Sequence, residues 1–372
     1  MFRVDRTSSP RSIWFVITEL AHGFDPILMR YLPELVCFEV KPGSIYPKLD
    51  YISLLVKASI LNGYAEGTSS VSRKLLLPRM VPTGETALSY FKSIDRYELL
   101  SVSSIVFEEQ VNELKRMGLL NRPVPIAFDW HDQMYYGDSD STEMVSGTKE
   151  KDGTRYAYQY LTAGILVDGK RLTIVLTPIK SRKHLLSYVE DALNRIRNAG
   201  VQIKFLLFDA GFSSLALPHY LEERGYAYAI RFSANDVTKR MDLKDGGEAL
   251  YPCLDPFKIV RADDQKTEKR YLFATNMACR PKRVLKRYKQ RWGIETSYRE
   301  HNVFLAKTTS KDYTVRLLYY AVAVCIYNAW CLFNARRGEE ARIIALEVKV
   351  ALLLAVLTPY HSVHRTRTND YG

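Results

Sequence analysis

The chain has 372 residues, 47% of them hydrophobic, which allows two or three domains with a buried core and excludes disorder throughout. A formal net charge of +12 indicates a polyanionic partner, most simply nucleic acid. The five cysteines include no C-x-x-C pair, which argues against a zinc site or a disulfide framework and is typical of a reduced, cytoplasmic protein.

The excess positive charge lies almost entirely in the last quarter of the chain. Residues 1–118 carry 14 basic and 13 acidic side chains, and residues 119–279 carry 22 and 21. Residues 280–372 carry 17 basic and only 7 acidic side chains. This asymmetry predicts a localised surface for an anionic ligand in the C-terminal quarter.

Residues 1–118 are predicted to form a helical domain, and turn residues at 115–125 mark its end. The segments DYISLLVKASILNGYAEG (50–67) and VPTGETALSYFKSI (81–94) both have helical apolar spacing. They could form a helix-turn-helix unit in which the second helix reads DNA bases through Thr83, Glu85 and Thr86. An ordinary pair of packed helices explains the same pattern, and both interpretations stay open.

The pattern after residue 119 predicts an α/β domain. Apolar runs at 124–130, 156–167 and 170–179 indicate strands, and Asp168-Gly169 predicts a hairpin between the last two. An amphipathic helix at 183–200, a strand at 201–212 and a helix followed by a strand at 215–232 continue the alternation.

Residues 233–279 are polar and rich in strand-like runs, which predicts a β-rich insertion. Helices are expected from residue 280 to about 358, with residues 336–372 forming a C-terminal helix and a basic tail. The apolar segment 317–333 is slightly short for a membrane span and contains Asn328. We therefore expect it to be a buried core helix of a protein without a membrane partner.

Two predicted strands end in aspartates, Asp129 and Asp209, and a third acid, Glu295, lies on the basic helix. Acids at the carboxyl ends of central strands lie where α/β active sites form, and three carboxylates suit Mg²⁺ or Mn²⁺. Strand-end aspartates also often cap the next helix. His131 and Asp132, close behind the first acid, are expected to shape a loop rather than to bind metal.

The stretch RPKRVLKRYKQR, residues 280–291, holds seven basic residues and no acid. On a continuous helix, one face would carry Tyr288, Arg291, Glu295, Arg299 and Asn302. Cations beside a metal-binding glutamate would hold a DNA strand and neutralise its phosphates. A solvated amphipathic helix with local Arg–Glu pairs is the alternative.

These residues also resemble a known family. YKQRWGIETSYRE is similar to the Y-x-x-R-W-x-I-E segment of prokaryotic DDE transposases of the insertion-sequence-four superfamily. IAFDWHDQMYYG resembles the first-aspartate strand of that family, and LLFDAGFSS resembles its D-x-G-F segment. Asn302 stands where the family signature has a lysine. The resemblance covers about residues 120–335.

The resemblance implies an RNase H-like catalytic core over residues 119–335, with the β-rich insertion before the acidic helix. It implies that Asp129, Asp209 and Glu295 are the catalytic residues and bind two Mg²⁺ or Mn²⁺ ions. Such enzymes cut transposon ends and join them to target DNA. The expected partner is double-stranded DNA, bound by a homodimer through Tyr288, Arg291, Arg299, Lys286, Arg287, Lys289 and Asn302.

Two details of the resemblance stay open. Arg299 is a candidate to replace the charge of the lysine that Asn302 lacks. Relatives that form DNA hairpins stack a flipped base on an aromatic residue of the insertion, and the candidates here are Tyr251, Phe257, Tyr271 and Phe273.

Two alternatives to a transposase remain at this point. One is a metal-dependent nuclease without strand transfer, and the other is a transposase-derived DNA-binding protein with a decayed site. In each case we expect a cytoplasmic, nucleoid-associated protein.

Overall fold

The structure, a computed structural model, describes residues 28–75, 81–139, 142, 144–167, 170–291 and 302–337. The chain divides into two compact units, Met1–Val106 with Glu300–Gly372 and Phe107–Arg299. This division differs from the predicted boundaries at residues 118 and 335. The glycine signal at Gly118 marks the end of a long helix, Arg96–Arg116, and the unit boundary falls inside that helix.

The first unit is helical, as predicted for the N-terminal segment. Its elements are α1 (residues 28–35), α2 (Lys48–Leu61), α3 (Ala65–Leu75), α4 (Gly84–Lys92), the start of α5 (Arg96–Arg116) and α10 (Tyr313–Arg337). The most apolar 18-residue stretch of α10 is 94% buried inside the structure, as expected for a core helix. Phe91 of α4 packs edge-on against Tyr319 of α10, with ring centroids 6.2 Å apart.

The two helices predicted to form a helix-turn-helix unit are not consecutive, because α3 lies between them. The α2 helix ends at Leu61, where the left-handed backbone of the following Asn62 stops it next to the first glycine of the predicted segment. Thr83 caps α4 by accepting a hydrogen bond from the backbone N–H of Thr86 at 3.2 Å. The cap explains why threonines stand at these positions, and base reading by them stays a prediction.

The second unit is built on one large mixed sheet. The strands are β1 (Val124–Tyr135), β2 (Val145–Lys151), β3 (Thr154–Val167), β4 (Lys170–Ile179), β5 (Ile203–Phe208), β6 (Tyr228–Phe232), β7 (Glu248–Leu250), β8 (Lys258–Asp264) and β9 (Lys269–Thr275). The helices are the end of α5, α6 (Leu185–Asn198), α7 (Ala216–Glu223), α8 (Asp236–Arg240) and α9 (Pro281–Tyr288). Strand β2 was not predicted, because its sequence VSGTKEK is polar.

The strand order is β2-β3-β1-β5-β6-β9-β8-β7, and β4 also pairs with β3. Strands β1, β3 and β4 form an antiparallel group, whereas β5 and β6 continue from β1 in parallel. The predicted hairpin residues Asp168 and Gly169 lie outside the described residues, although β3 and β4 pair antiparallel up to Val167 and Lys170.

The segment predicted to be a β-rich insertion contains β7, β8 and β9. Strand β9 pairs antiparallel with β6, so these three strands extend the central sheet. Helix α9 covers one face of the sheet through Val284, Leu285 and Tyr288, which pack with Ala127 and Leu207. The opposite face carries Phe128 and Phe208, whose rings stack 4.7 Å apart.

Candidate active site

The first predicted acid, Asp129, lies inside β1 and not at its end. Strand β1 pairs in parallel with β5 as far as Ala127 and Leu207. It then continues antiparallel to β3, with Asp129 opposite Thr162. The sequence placed the strand end six residues too early, because polar residues follow Trp130. The carboxylate nevertheless lies just beyond the last parallel pair, at the edge where α/β sites form.

The second acid, Asp209, directly follows β5 and begins the 3-10 helix Ala210–Phe212. Its Oδ1 accepts a hydrogen bond from the Gly211 backbone N–H at 2.8 Å. Asp209 therefore caps a helix, which was the structural alternative considered for strand-end aspartates. The same geometry fixes the carboxylate at the carboxyl end of the strand next to β1.

Arg291 joins the basic stretch to the first acid. Its Nη1 donates to Oδ2 of Asp129 at 3.0 Å, and the two side chains are only 5% and 10% exposed. The 3-10 helix Lys289–Arg291 follows α9 directly, so the chain here is not the continuous α-helix that was predicted. Tyr288, one turn earlier, is buried against Phe273, and the guanidinium of Arg291 lies 5.5 Å from the Tyr288 ring centroid.

The pKa of Asp129 is raised to about 6, mainly by burial and also by the negative charge of Asp209, whereas the positive charges of Arg291 and Arg171 oppose the rise. Burial also raises the pKa of Asp209, against the lowering effect of Arg291. The two carboxyl groups therefore repel each other in a poorly hydrated site. A cation placed between them would favour ionisation of both.

A second buried arginine, Arg171 of β4, lies behind the first acid. Its Nη2 donates to Oγ1 of Thr162 at 3.0 Å, and that hydroxyl lies 3.4 Å from the Asp129 carbonyl oxygen. Gly164 leaves the space that the Arg171 side chain occupies, because a Cβ at this position would collide with it. Sequence reasoning missed this group, although an arginine in the buried run KRLTIVL was a usable signal.

The opposite face of β1 holds a polar and aromatic cluster that sequence reasoning also missed. Trp130 stacks on Phe212 with centroids 4.4 Å apart and planes 7° apart. Arg182 lies over the Trp130 ring at 5.1 Å and pairs with Asp132 at 2.9 Å. Its charge also opposes the rise in the pKa of Asp209, so Arg182 is a further cation beside the acids.

His131 and Asp132 do not shape a loop, because both lie within β1. Asp132 accepts hydrogen bonds from Gln159 and Thr148, each at 3.0 Å, in addition to its ion pair with Arg182. Burial lowers the pKa of His131 to about 4. His131 is therefore neutral near pH 7.

The remaining predicted DNA-binding residues differ in their surroundings. Lys286 and Asn302 are exposed, whereas Tyr288 is fully buried. Lys289 pairs with Asp264 at 2.7 Å, and the Arg287 guanidinium lies 5.4 Å from the Phe205 ring centroid. Glu295 and Arg299 lie outside the described residues. The structure thus brings together Asp129, Asp209 and Arg291.

The donor chemistry fits a divalent metal. Asp129 and Asp209 are oxygen ligands of the kind that Mg²⁺ and Mn²⁺ prefer, and burial raises the pKa of both. Within the described residues, no group of three or more metal-ligating side chains occurs. The predicted third ligand, Glu295, is not among those residues.

The four aromatic residues considered for base stacking are all buried. Tyr251, Phe257, Tyr271 and Phe273 are exposed by 6%, 2%, 3% and 0%. Tyr251 and Phe257 stack on each other with centroids 5.1 Å apart. Their rings are occupied by protein contacts in this structure, so a stacking role would require the segment to rearrange.

The sheet places Asp129 and Asp209 on adjacent parallel strands beside the basic helix α9. The family model for the transposase DDE domain matches residues 123–327, more than half of the chain. The chain therefore belongs to the transposase DDE domain family, and its class is that of the DNA transposases.

Among solved structures, the chain is similar to the piggyBac transposase, seen by cryo-EM in a synaptic complex with hairpin DNA. The TM-score is 0.57 at 13% sequence identity, over 95% of this chain and 83% of that chain. This likeness concerns the fold, and it confirms the predicted α/β, RNase H-like architecture. A comparison with curated protein sequences found no match.

Proposed function

We propose that this protein is a DNA transposase that cuts the ends of its own mobile element and joins them to target DNA. In this proposal Asp129, Asp209 and Glu295 are the catalytic ligands of two Mg²⁺ or Mn²⁺ ions. The observation that carries it is the pair of carboxylates on adjacent parallel strands, the buried Asp129 and the half-buried Asp209, with Arg291 bonded to Asp129.

When bound, the two ions would activate a water or 3′-hydroxyl and stabilise the leaving oxygen of an in-line displacement. The protein itself orients the ligands. The 3-10 helix after β5 holds Asp209, and Arg291 fixes one oxygen of Asp129. Asp129 is buried and Asp209 half-buried, and the low local polarity around Asp129 strengthens its interaction with any cation that enters.

The sequence signature supports a finer assignment to the insertion-sequence-four superfamily. Tyr288 and Arg291 stand at the first two signature positions, and the burial of Tyr288 and the ion pair of Arg291 with Asp129 support this assignment. We propose that Lys286, Arg287, Lys289, Arg299 and Asn302 contribute to the DNA-binding side of the site. Arg299 would supply the charge that Asn302 lacks.

We further propose that the protein acts on double-stranded DNA as a homodimer, in the cytoplasm at the nucleoid. Joining both ends of an element requires that two ends be held together, which two subunits achieve. The fold relative was captured with hairpin DNA in a synaptic complex, which supports DNA as the partner here.

The decisive experiment compares wild type with Glu295→Gln on DNA from the end of the flanking element. The variant keeps the shape of the side chain but removes the charge that a divalent ion requires. We expect Mg²⁺- or Mn²⁺-dependent cleavage by wild type and none by the variant, with equal DNA binding. The control is Glu248→Gln, which removes an exposed acid of β7 and should leave cleavage unchanged.

Three other outcomes decide between the alternatives. Equal cleavage by wild type and Glu295→Gln would show that this glutamate is not a ligand. Cleavage without joining to a target plasmid would identify a nuclease without strand transfer. Binding without cleavage by either protein would identify a DNA-binding relative with a decayed site.

A further inference from the structure

A basic cavity lies at the other end of the strands that carry the acids. Its volume is about 730 Å³. Its wall comes from the loop after α5, the starts of β1 and β5, the end of β3 and one side of α9. The basic residues that line it are Arg122, Lys204, Arg283, Lys286, Arg287 and Lys289, and no acid lines it.

Four of these cations are available for a ligand. Arg122, Lys204, Arg283 and Lys286 are exposed, and none of them forms an ion pair within the part of the chain that the structure describes. The others are engaged, Lys289 by Asp264 and Arg287 by the Phe205 ring and the sulfur of Met277. Exposed cations without acidic partners on three separate chain segments create a positive local potential that attracts an anion.

The cavity and the acids lie on one face of the sheet. Pro125, which lines the cavity, and Asp129 share the side of β1 that faces α9, because side chains alternate along a strand. At about 3.3 Å per residue, the start of β1 at Val124 is roughly 16 Å from Asp129. This distance equals about five steps of 3.4 Å along a DNA strand.

We propose that this basic cavity binds the phosphate backbone of the same duplex whose scissile phosphate lies at Asp129 and Asp209, about five base pairs away. The inference rests on the proposed function and extends it to Arg122 and Lys204, which precede the basic stretch in the sequence. These contacts carry no base information and set the position of the duplex along the site. They would hold the DNA whether or not metal is present.

The test is the salt dependence of binding to a random-sequence 30-base-pair duplex in EDTA, so that no cleavage occurs. For a double variant Arg122→Ala/Lys204→Ala, the slope of log K against log salt should decrease in magnitude by about 1.8, or 0.9 for each lost phosphate contact. The matched control is Arg195→Ala/Arg197→Ala on α6, outside the cavity, which removes the same charge and should keep the wild-type slope.

A charge-conserving double variant, Arg122→Lys/Lys204→Arg, should also keep the wild-type slope. The proposal is overturned if the alanine variant and the α6 control show the same slope. It is also overturned if the alanine variant keeps the wild-type slope but loses calorimetric binding of pyrophosphate, because the cavity then takes a small phosphate ligand. Failure of wild type to bind the duplex would instead refute the proposed function.

Discussion

The guanidinium of Arg291 donates to the carboxylate of Asp129 at 3.0 Å, although 162 positions separate the two residues. Both side chains are buried, so each depends on the other for compensation of its charge. The pair joins the basic stretch to the central sheet. It also explains why an arginine stands three residues after the buried Tyr288.

Loss of this guanidinium should shift the pH dependence of catalysis. In Arg291→Gln, the Asp129 carboxyl loses the nearest positive charge, and its pKa rises above the present value of about 6. We expect the acid limb of the pH profile of Mn²⁺-dependent cleavage to move to higher pH. Lys286→Gln removes a cation from α9 without touching the acid and should leave this limb in place. An unchanged profile in Arg291→Gln would contradict the role assigned to the ion pair.

The contribution of Asp129 to the stability of the metal-free protein should fall as pH rises from about 4 to about 6. The folded-state pKa of Asp129 is raised from 3.8 to about 6, so the folded protein holds a proton in this interval that the unfolded chain has released. Ionisation above pH 6 therefore destabilises the fold, by about 1–3 kcal/mol. Asp129→Asn removes this titration, so the stability of the variant relative to wild type should rise by about 1–3 kcal/mol from pH 4 to pH 8, as measured by urea unfolding in EDTA.

Asp263 is a control for this pH effect, because its ionisation should change stability in the opposite direction. Its pKa is lowered by the hydrogen bond and charge of Arg261, so its ionised form stabilises the fold above its unfolded pKa. Asp263→Asn should be less stable than wild type at pH 8, with the difference lost as pH falls through the folded pKa. If both variants shift stability in the same direction, the charge assignment at Asp129 is wrong.

Gly211 lies in the active-site turn, at a position without room for a side chain. A Cβ here would lie 2.8 Å from Cδ1 of Trp130 and 3.0 Å from Oδ1 of Asp209. Gly211→Ala should displace both side chains and reduce stability by about 1–3 kcal/mol. It should also weaken Mn²⁺ binding, measured by the metal-induced rise in Tm. Gly147→Ala in β2, where nothing lies within 4 Å of the new Cβ, should change neither quantity.

The hydroxyl of Thr162 should contribute to the free energy of unfolding through its hydrogen bond. Thr162→Val keeps the shape but removes the acceptor of the Arg171 Nη2 hydrogen bond. The buried donor left behind should cost about 1–3 kcal/mol in the free energy of unfolding. Thr177, on the paired strand β4, has a buried hydroxyl that bonds to no described residue. Thr177→Val should therefore be neutral or slightly stabilising, and equal losses in both variants would refute the assigned hydrogen bond.

Much of the candidate site can be predicted from the sequence, because the patterns that indicate it lie within short segments. Period-two apolar runs located β1, β3, β4 and β5, and the residues around Asp129 and Asp209 carry the family pattern. The basic run before Arg291 is equally visible. These features depend on neighbours within a few positions, which is the range over which periodicity and turn chemistry act.

The sequence by itself thus predicted the α/β class and most of the strands and helices around the site, and it singled out the two acids, whose catalytic role stays a prediction. The tertiary structure decided which groups surround them. Arg291 reaches Asp129 and Arg182 reaches Asp132 from distant segments, and Arg171 bonds to Thr162 on the strand next to Asp129. Strand pairing and helix packing alone bring such residues together, and burial then sets their pKa values. Charge counts along the chain therefore could not tell the buried Arg291 from the exposed Lys286.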